Sequence, residues 1–216
     1  MKIKLLTAMA VSLSLCGYAQ TKGTSALGLG VSINSNKSDY KYTSSDSNTD
    51  NKNKSFTLGY GYFNADNTKI GIEFTYGNTD NITTYALPAT IQKNNAKIYM
   101  GNVTYQKYYP LVKTLYAYAG GIAGYSYTKI ENLNNERSLD SQSTNQYSVG
   151  AYGGLTWFVS KRFAFETNLL SANINYAKTK TDDDYDTYTY SNKTTSFNLK
   201  TEGFIDNLGF KIYLLF

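Results

Sequence analysis

Glu73, Glu166 and Lys211 are the residues of this chain whose surroundings make them able to act together. Glu73 stands between Ile72 and Phe74, Glu166 follows Phe165, and Lys211 stands between Phe210 and Ile212. In a strand, successive side chains face opposite ways, so each charge points away from an apolar face. If that face meets lipid, the charges face an interior. A charge left on the lipid side near the midplane costs roughly 2–4 kcal/mol for Lys and somewhat less for Glu. Such a set could line an ion path or gate, or could pair and fill the interior, and we favour the second reading. Other chemistry is narrow. The chain has no His, and His is the side chain that titrates near neutral pH without strong perturbation. Nucleophile–His catalysis and His-ligated metals are thereby excluded. Asp46-Ser-Asn48-Thr-Asp50 has the start of an EF-hand spacing, but Asn51 stands where Gly is needed and Thr57 where Glu is needed. Asp182-Asp-Asp-Tyr-Asp186 could hold Ca²⁺ through oxygens, and solvated acids are the plainer account. We therefore expect no catalytic residue, no metal site and no cofactor.

The elements that position these charges read as eight strands. The first, 25–35, has Leu27, Leu29, Val31 and Ile33 on one face, and the second, 55–63, has Phe56, Leu58, Tyr60 and Tyr62. The third, 68–79, carries Ile70, Ile72, Phe74 and Tyr76, and the fourth, 96–108, carries Tyr99, Val103 and Tyr105, with Ile98 and Met100 in the opposite phase. The fifth, 114–128, is rich in Gly, Ala and Tyr, and its faces cannot be assigned. The sixth, 146–159, has Tyr147, Val149, Leu155 and Trp157, and Trp157 reads as an interface aromatic. In the seventh, 163–176, the apolar phase moves from Phe163 and Phe165 to Leu170, Ala172, Ile174 and Tyr176, which requires a bulge. The eighth, 196–216, changes phase between Phe197 with Leu199 and Leu208, so it should hold a bulge or begin outside the membrane. Connections 36–54, 80–94, 129–145 and 177–195 are long and polar, while 64–67, 109–113 and 160–162 are short. Tyr40-Lys-Tyr42 and Tyr188-Thr-Tyr190 alternate within the long ones. Those segments are either polar loops or a sheet continuing the wall.

The last nine residues decide what surrounds the strands. Leu208, Phe210, Ile212, Leu214 and Phe216 occupy every second position up to the final Phe216. An unpaired apolar edge invites aggregation. A closed barrel in a bilayer removes the edge and gives the apolar face a solvent. The second faces agree: Thr57, Gly59 and Gly61 in strand two, and Gly71, Glu73, Thr75 and Gly77 in strand three. A soluble barrel would place Lys, Glu and Thr outside, whereas a narrow eight-stranded barrel needs small and polar groups inside.

The N-terminus predicts export. Lys2 and Lys4 make the start basic, 3–17 is a short, mostly apolar run, and Gly17-Tyr18-Ala19 offers small residues at the −3 and −1 positions. The run is short for a transmembrane anchor. Cleavage after Ala19 makes 1–19 a signal peptide and 20–216 a single barrel domain. Cys16, the only cysteine, follows Leu15 rather than the small residue that lipid attachment needs, and it leaves with the signal. The net charge of the remaining chain falls from +5 to +3 as Lys2 and Lys4 are removed, too mild to argue for nucleic acid.

Three segments carry a family resemblance. The last nine residues resemble the C-terminal signature of Gram-negative outer-membrane β-barrels, a terminal Phe with apolar residues at alternate positions before it. Gly154-Leu-Thr-Trp-Phe-Val-Ser-Lys-Arg-Phe-Ala-Phe-Glu166 resembles the strand–turn–strand of the outer-membrane β-barrel domain family, and Tyr108-Tyr109-Pro110-Leu111 with 115–127 resembles its preceding hairpin. The resemblance implies an all-β, eight-stranded antiparallel up-and-down transmembrane β-barrel like the small OmpA/OmpX-type and porin-family barrels. It implies an outer-membrane location and recognition of the last strand by the barrel assembly machinery. It brings no catalytic residues. Short and long connections then place both termini in the periplasm. The functional expectation is a monomer among outer-membrane lipids, with a filled lumen and a structural or binding role at the cell surface through the long connections. An extracellular protein or surface ligand would be its partner. The alternative is a narrow pore for ions or very small solutes.

Overall fold

The computed structural model describes residues 21–41, 46–86, 90–135, 137–183, 189–201 and 211–216. The strands are β1 (Ser25–Lys41), β2 (Asp46–Ala65), β3 (Thr68–Tyr85), β4 (Thr90–Val112), β5 (Leu115–Asn134), β6 (Arg137–Phe158), β7 (Phe163–Asp183), β8 (Thr189–Thr201) and β9 (Lys211–Leu215). Each pairs antiparallel with the next from β1 to β8. The lower part of β7 pairs with β9, Glu166 opposite Lys211, and β9 pairs with β1, Gly30 opposite Lys211. β8 and β9 thus share one position, and the sheet closes as a ring of eight strands. Ser25 and Phe216 exchange both backbone hydrogen bonds, at 2.7 and 3.0 Å, where the ring closes. The connections at this end are short. The first is the pair Asp66 and Asn67, with Asn67 at φ +56°, a left-handed conformation that Asn tolerates.

Side-chain alternation explains the wall. Phe56, Leu58, Tyr60, Ile72, Phe74, Val103, Val149 and Trp157 are exposed on the outside, while Ala26, Phe63, Thr104, Gln106, Tyr118, Thr156 and Glu166 are buried inside. β5, ambiguous in sequence, sends Tyr118 and Ile122 inward and Tyr125 outward. Ile98 and Met100 keep strict phase in β4, with Met100 facing the lumen. The phase shift in β7 is a bulge: Gly154 pairs with Asn168 and Gly153 with Leu170, leaving Leu169 unpaired. Asn168 before it and Ser171 after it therefore both face the lumen. The phase change expected in the eighth strand falls within 202–210, outside the described residues.

β1 to β7 run 17 to 23 residues, whereas crossing a bilayer takes about 9–11. Of the two readings of the long polar connections 36–54, 80–94, 129–145 and 177–195, loop or continuing wall, the described residues take the second. Most of these residues are strand, in continuous register from Ser35 opposite Lys52 up to Lys41 opposite Asp46, and from Asn78 opposite Lys97 up to Tyr85 opposite Thr90. Polar side chains hold the extension together. Thr49 bonds Thr83 at 3.2 Å, Asn94 donates to Asn132 at 2.7 Å, and Thr144 bonds Thr179 at 2.9 Å. Thr and Asn suit loops, but cross-strand pairs of such groups also stabilise a sheet.

Candidate functional site

The lumen divides into two unlike halves. At the end holding Ser25 and Phe216, Ala26, Phe63, Tyr108, Tyr118, Phe158, Ala164, Tyr213 and Leu215 form one buried cluster. Tyr108 is its centre, with ring centroids 5.7 Å from Phe63, 5.9 Å from Tyr118 and 6.0 Å from Phe158. These rings come from inward positions of β2, β4, β5 and β6, just inside the short turns. The free space among them is about 10 Å³, roughly the minimum that holds one water.

A charge pair lies within this plug. Glu166 is 1% exposed and Lys69 3%, with Lys69 Nζ 3.5 Å from Glu166 Oε2. Glu166 Oε1 accepts from Gln106 Nε2 at 3.0 Å and Tyr213 OH at 3.3 Å. Its Oε2 accepts from Tyr108 OH at 3.1 Å and Thr156 Oγ1 at 3.2 Å. Lys69 Nζ also lies 4.0 Å from the centroid of the Tyr213 ring, an attractive cation–π placement. A buried carboxylate with its acceptor sites filled and a cation beside it is the arrangement that makes such burial tolerable.

Glu73 and Lys211 sit one layer higher. Lys211 Nζ donates to Glu73 Oε1 at 2.7 Å and Oε2 at 2.8 Å. Sequence reasoning expected Lys211 near Glu166, its neighbour on the adjacent strand. Their backbones are indeed opposite, but the side chains part: Glu166 turns down to Lys69 and Lys211 turns across to Glu73. The correction has a simple cause. Lys69 shares the inward phase of Gly71, Glu73 and Thr75 in β3, and reading that phase one step further back would have found it. The two pairs bring charges from β3, β7 and β9 together in the lumen.

Above them is a polar cavity of about 540 Å³. Its lining includes Asn102, Asn168, Asn173, Asn175 and Asn198, with Tyr152, Glu73 and Lys211 towards the plug. A uniformly filled lumen is therefore also corrected. Among the described residues only the plugged half is filled, because its inward positions carry Phe and Tyr, whereas the upper half carries mostly Asn, Ser and Thr. Among the described residues no group of His, Cys, Asp and Glu could hold a metal. Most of Asp182-Asp-Asp-Tyr-Asp186 lies outside the described residues.

The outside completes the site. Tyr99 and Tyr109 lie ten residues apart on β4, as do Tyr147 and Trp157 on β6. At the usual strand rise and barrel tilt this separates them by about 25 Å along the membrane normal. Tyr76 stacks on Tyr99 at 5.3 Å and Tyr125 on Tyr147 at 5.2 Å, forming the upper aromatic row. Trp157 lies 6.4 Å from Phe165 in the lower one. Leu29, Leu58, Phe74, Val103, Val149 and Ile174 are exposed between the rows. Ile212, Leu214 and Phe216 are exposed on the same outer face, while Leu208 and Phe210 lie outside the described residues. A closed ring with an apolar band between two aromatic rows meets the requirements of a bilayer. The sequence matches the outer membrane protein beta-barrel domain over residues 6–204.

The chain belongs to that family.

One solved structure agrees on the fold of this outer-membrane barrel. The outer membrane protein OprG from Pseudomonas aeruginosa aligns with a TM-score of 0.51 and 12% identity, covering 91% of this chain and 97% of OprG. Ail, the attachment invasion locus protein of Yersinia pestis, aligns with a TM-score of 0.36 and 13% identity, covering 91% of this chain and 100% of Ail. The translocator domain of the autotransporter NalP from Neisseria meningitidis gives 0.39 and 13%, covering 92% of this chain and 65% of that domain. No curated protein matches the sequence. At 12% identity the likeness to OprG shows the fold alone.

Proposed function

We propose that this outer-membrane barrel is a non-enzymatic, monomeric cell-surface binding and structural protein rather than a conduit. The observation that carries this reading is the plug, where packed Phe63, Tyr108, Tyr118, Phe158 and Tyr213 around the Lys69–Glu166 pair leave about 10 Å³. In this reading residues 1–19 are a cleaved export signal and the barrel assembly machinery takes up the last strand. Both termini face the periplasm, and the strand extensions stand outside the cell. Short turns at one end and tall hairpins at the other support that orientation. The protruding rim, with its Tyr, Asn, Thr and Lys side chains, is the surface offered to an extracellular protein or ligand. Exposed strand and Tyr-rich surfaces suit strand addition and Tyr-centred contacts. A narrow pore is the second reading, favoured by the polar cavity of about 540 Å³ above the plug.

Two measurements separate the readings. Purified, refolded protein in a planar bilayer is expected to be silent. Shortening the hairpins within 36–54 and 177–195 is expected to leave a heat-modifiable, folded barrel and to abolish adhesion of cells to whatever surface the protein engages. Discrete openings of the unaltered protein that change with Glu73 or Lys211 substitutions would overturn the binding reading in favour of the pore. The orientation has its own test. An epitope tag at 184–188 is expected to be accessible on intact cells, and a tag at 160–162 to be accessible only after lysis. The reverse pattern would invert the barrel.

A further inference from the structure

The outer face of β7 and β8 carries a charge arrangement that no described residue neutralises. Lys178 and Lys193 are direct cross-strand partners, and Lys180 follows two residues further up opposite Ser191. All three keep the outward phase, since Asn173 and Asn175 of β7 and Ser196 and Asn198 of β8 line the lumen. Directly opposed like charges destabilise a sheet. Among the described residues no carboxylate pairs with any of the three. The nearest described acid on this face, Asp182, lies further along β7 and accepts from Thr189 at 3.1 Å. Asn145 of β6 stands beside Lys178.

The same wall contains an internal contrast. Lys97 and Lys129 are also opposed, on β4 and β5. There Glu131 supplies the counter-charge, with Oε1 2.8 Å from Lys129 Nζ. The hydrogen bond and charge of Lys129 hold the Glu131 carboxyl below its usual range. Among the described residues the β7–β8 pair lacks such an acid, and an anion docked on this face would supply the counter-charge.

Position identifies the source. Lys178 lies two residues above Tyr176, whose cross-strand partner Tyr147 belongs to the upper aromatic row. That row marks the headgroup level of the bilayer. Directly below, Ile174 pairs with Phe197 and Ala172 with Leu199, and Ile174, Phe197 and Leu199 are exposed on the outer face. Lysines at headgroup height over a bare apolar strip match a molecule with anionic oxygens above and acyl chains below.

We propose that Lys178, Lys180 and Lys193 form a binding site for a phosphorylated membrane lipid. Its phosphate oxygens accept from the opposed ammonium groups, and its acyl chains lie along Ile174, Phe197 and Leu199. Phosphate suits the pair because it presents several acceptor oxygens to two point-like donors. The orientation proposed above decides only which leaflet supplies the lipid, the outer one in that reading.

The test uses the full barrel refolded into phosphatidylcholine vesicles containing diphosphorylated lipid A, lipid A stripped of both phosphates, or neither. Sodium pyrophosphate without lipid A forms a further arm. The readouts are lipid A retained per barrel and the temperature at which the heat-modifiable form is lost. Diphosphorylated lipid A is expected to be retained and to raise that temperature, while the stripped form does neither. At roughly a fivefold loss for each lysine near an anionic surface, K178Q with K193Q should weaken retention about twenty-five-fold. K97Q with K129Q is expected to stay within about twofold. In phosphatidylcholine alone, K178Q with K193Q should be at least as stable as the parent, because the repulsion is gone, and this also verifies folding. Equal retention of stripped lipid A, or unchanged retention in K178Q with K193Q, overturns the site. An equal temperature rise with pyrophosphate alone overturns the lipid and assigns a soluble anion. Inversion of the barrel would leave every result in these symmetric vesicles unchanged, so failure of the orientation and failure of the site are separable.

Discussion

Replacing Glu166 by Gln is expected to destabilise the barrel by about 3–5 kcal/mol, the usual cost of stranding one member of a buried ion pair. Gln preserves the volume and one carbonyl acceptor for the surrounding donors. It removes the charge that Lys69 faces at 3.5 Å in a site where Lys69 is 3% exposed. Adding Lys69→Met to Glu166→Gln should recover most of the loss, because no unpaired charge then remains in the plug. Adding Lys211→Met should not, since Lys211 is held by Glu73 at 2.7 and 2.8 Å. Urea unfolding of vesicle-embedded protein, followed by fluorescence of Trp157, the only tryptophan, reads all three variants. Rescue by Lys211→Met and not by Lys69→Met would show that the wrong pair has been identified.

Opening the plug is expected to convert a silent barrel into a conducting one. Tyr108 touches three other rings and donates to Glu166 at 3.1 Å, and Phe158 packs on Tyr108 at 6.0 Å and on Tyr116 at 5.4 Å. Together Tyr108→Ala and Phe158→Ala remove two packed rings of the cluster between the polar cavity and the short-turn end. Each truncation alone should cost about 3–5 kcal/mol, and their sum will not be simply additive because the rings are in contact. Heat-modifiability on a gel establishes whether the double variant still folds. If it folds, planar bilayers should record discrete openings absent from the parent. A folded double variant that stays silent would mean that the conduction barrier lies elsewhere in the lumen.

Much of this architecture was legible in the residues because a barrel wall has a period of two. Leu27 to Ile33, Phe56 to Tyr62, Ile70 to Tyr76 and Ile212 to Phe216 each declare an outer face. Opposite them, Gly59, Gly61, Gly71 and Thr75 declare a narrow interior. The bulge in β7 was legible too, since a phase shift from Phe165 to Leu170 cannot be satisfied without an extra residue, which proves to be Leu169. β5 was not legible, because Ala and Gly fit either face, and only pairing to β4 and β6 on both sides assigns it.

What the sequence by itself determined is therefore the class of object: strands, their faces, closure, and a wall that needs lipid. Alternation is a local property, and the solvent on each face selects residue types one strand at a time. The tertiary structure alone decided how far the strands run beyond the bilayer and which charges meet. Asn and Thr satisfy the backbone in a loop or a ladder equally well, so 36–54 and 129–145 could be read either way until their cross-strand partners were in place. Glu166 chose Lys69 over Lys211 because ring closure and strand stagger set the heights of β3, β7 and β9 relative to one another. That stagger is a property of the closed barrel, and no single strand encodes it. The division of the lumen into a dry plug and a polar cavity has the same origin, since it arises where inward rings from four strands arrive at one level.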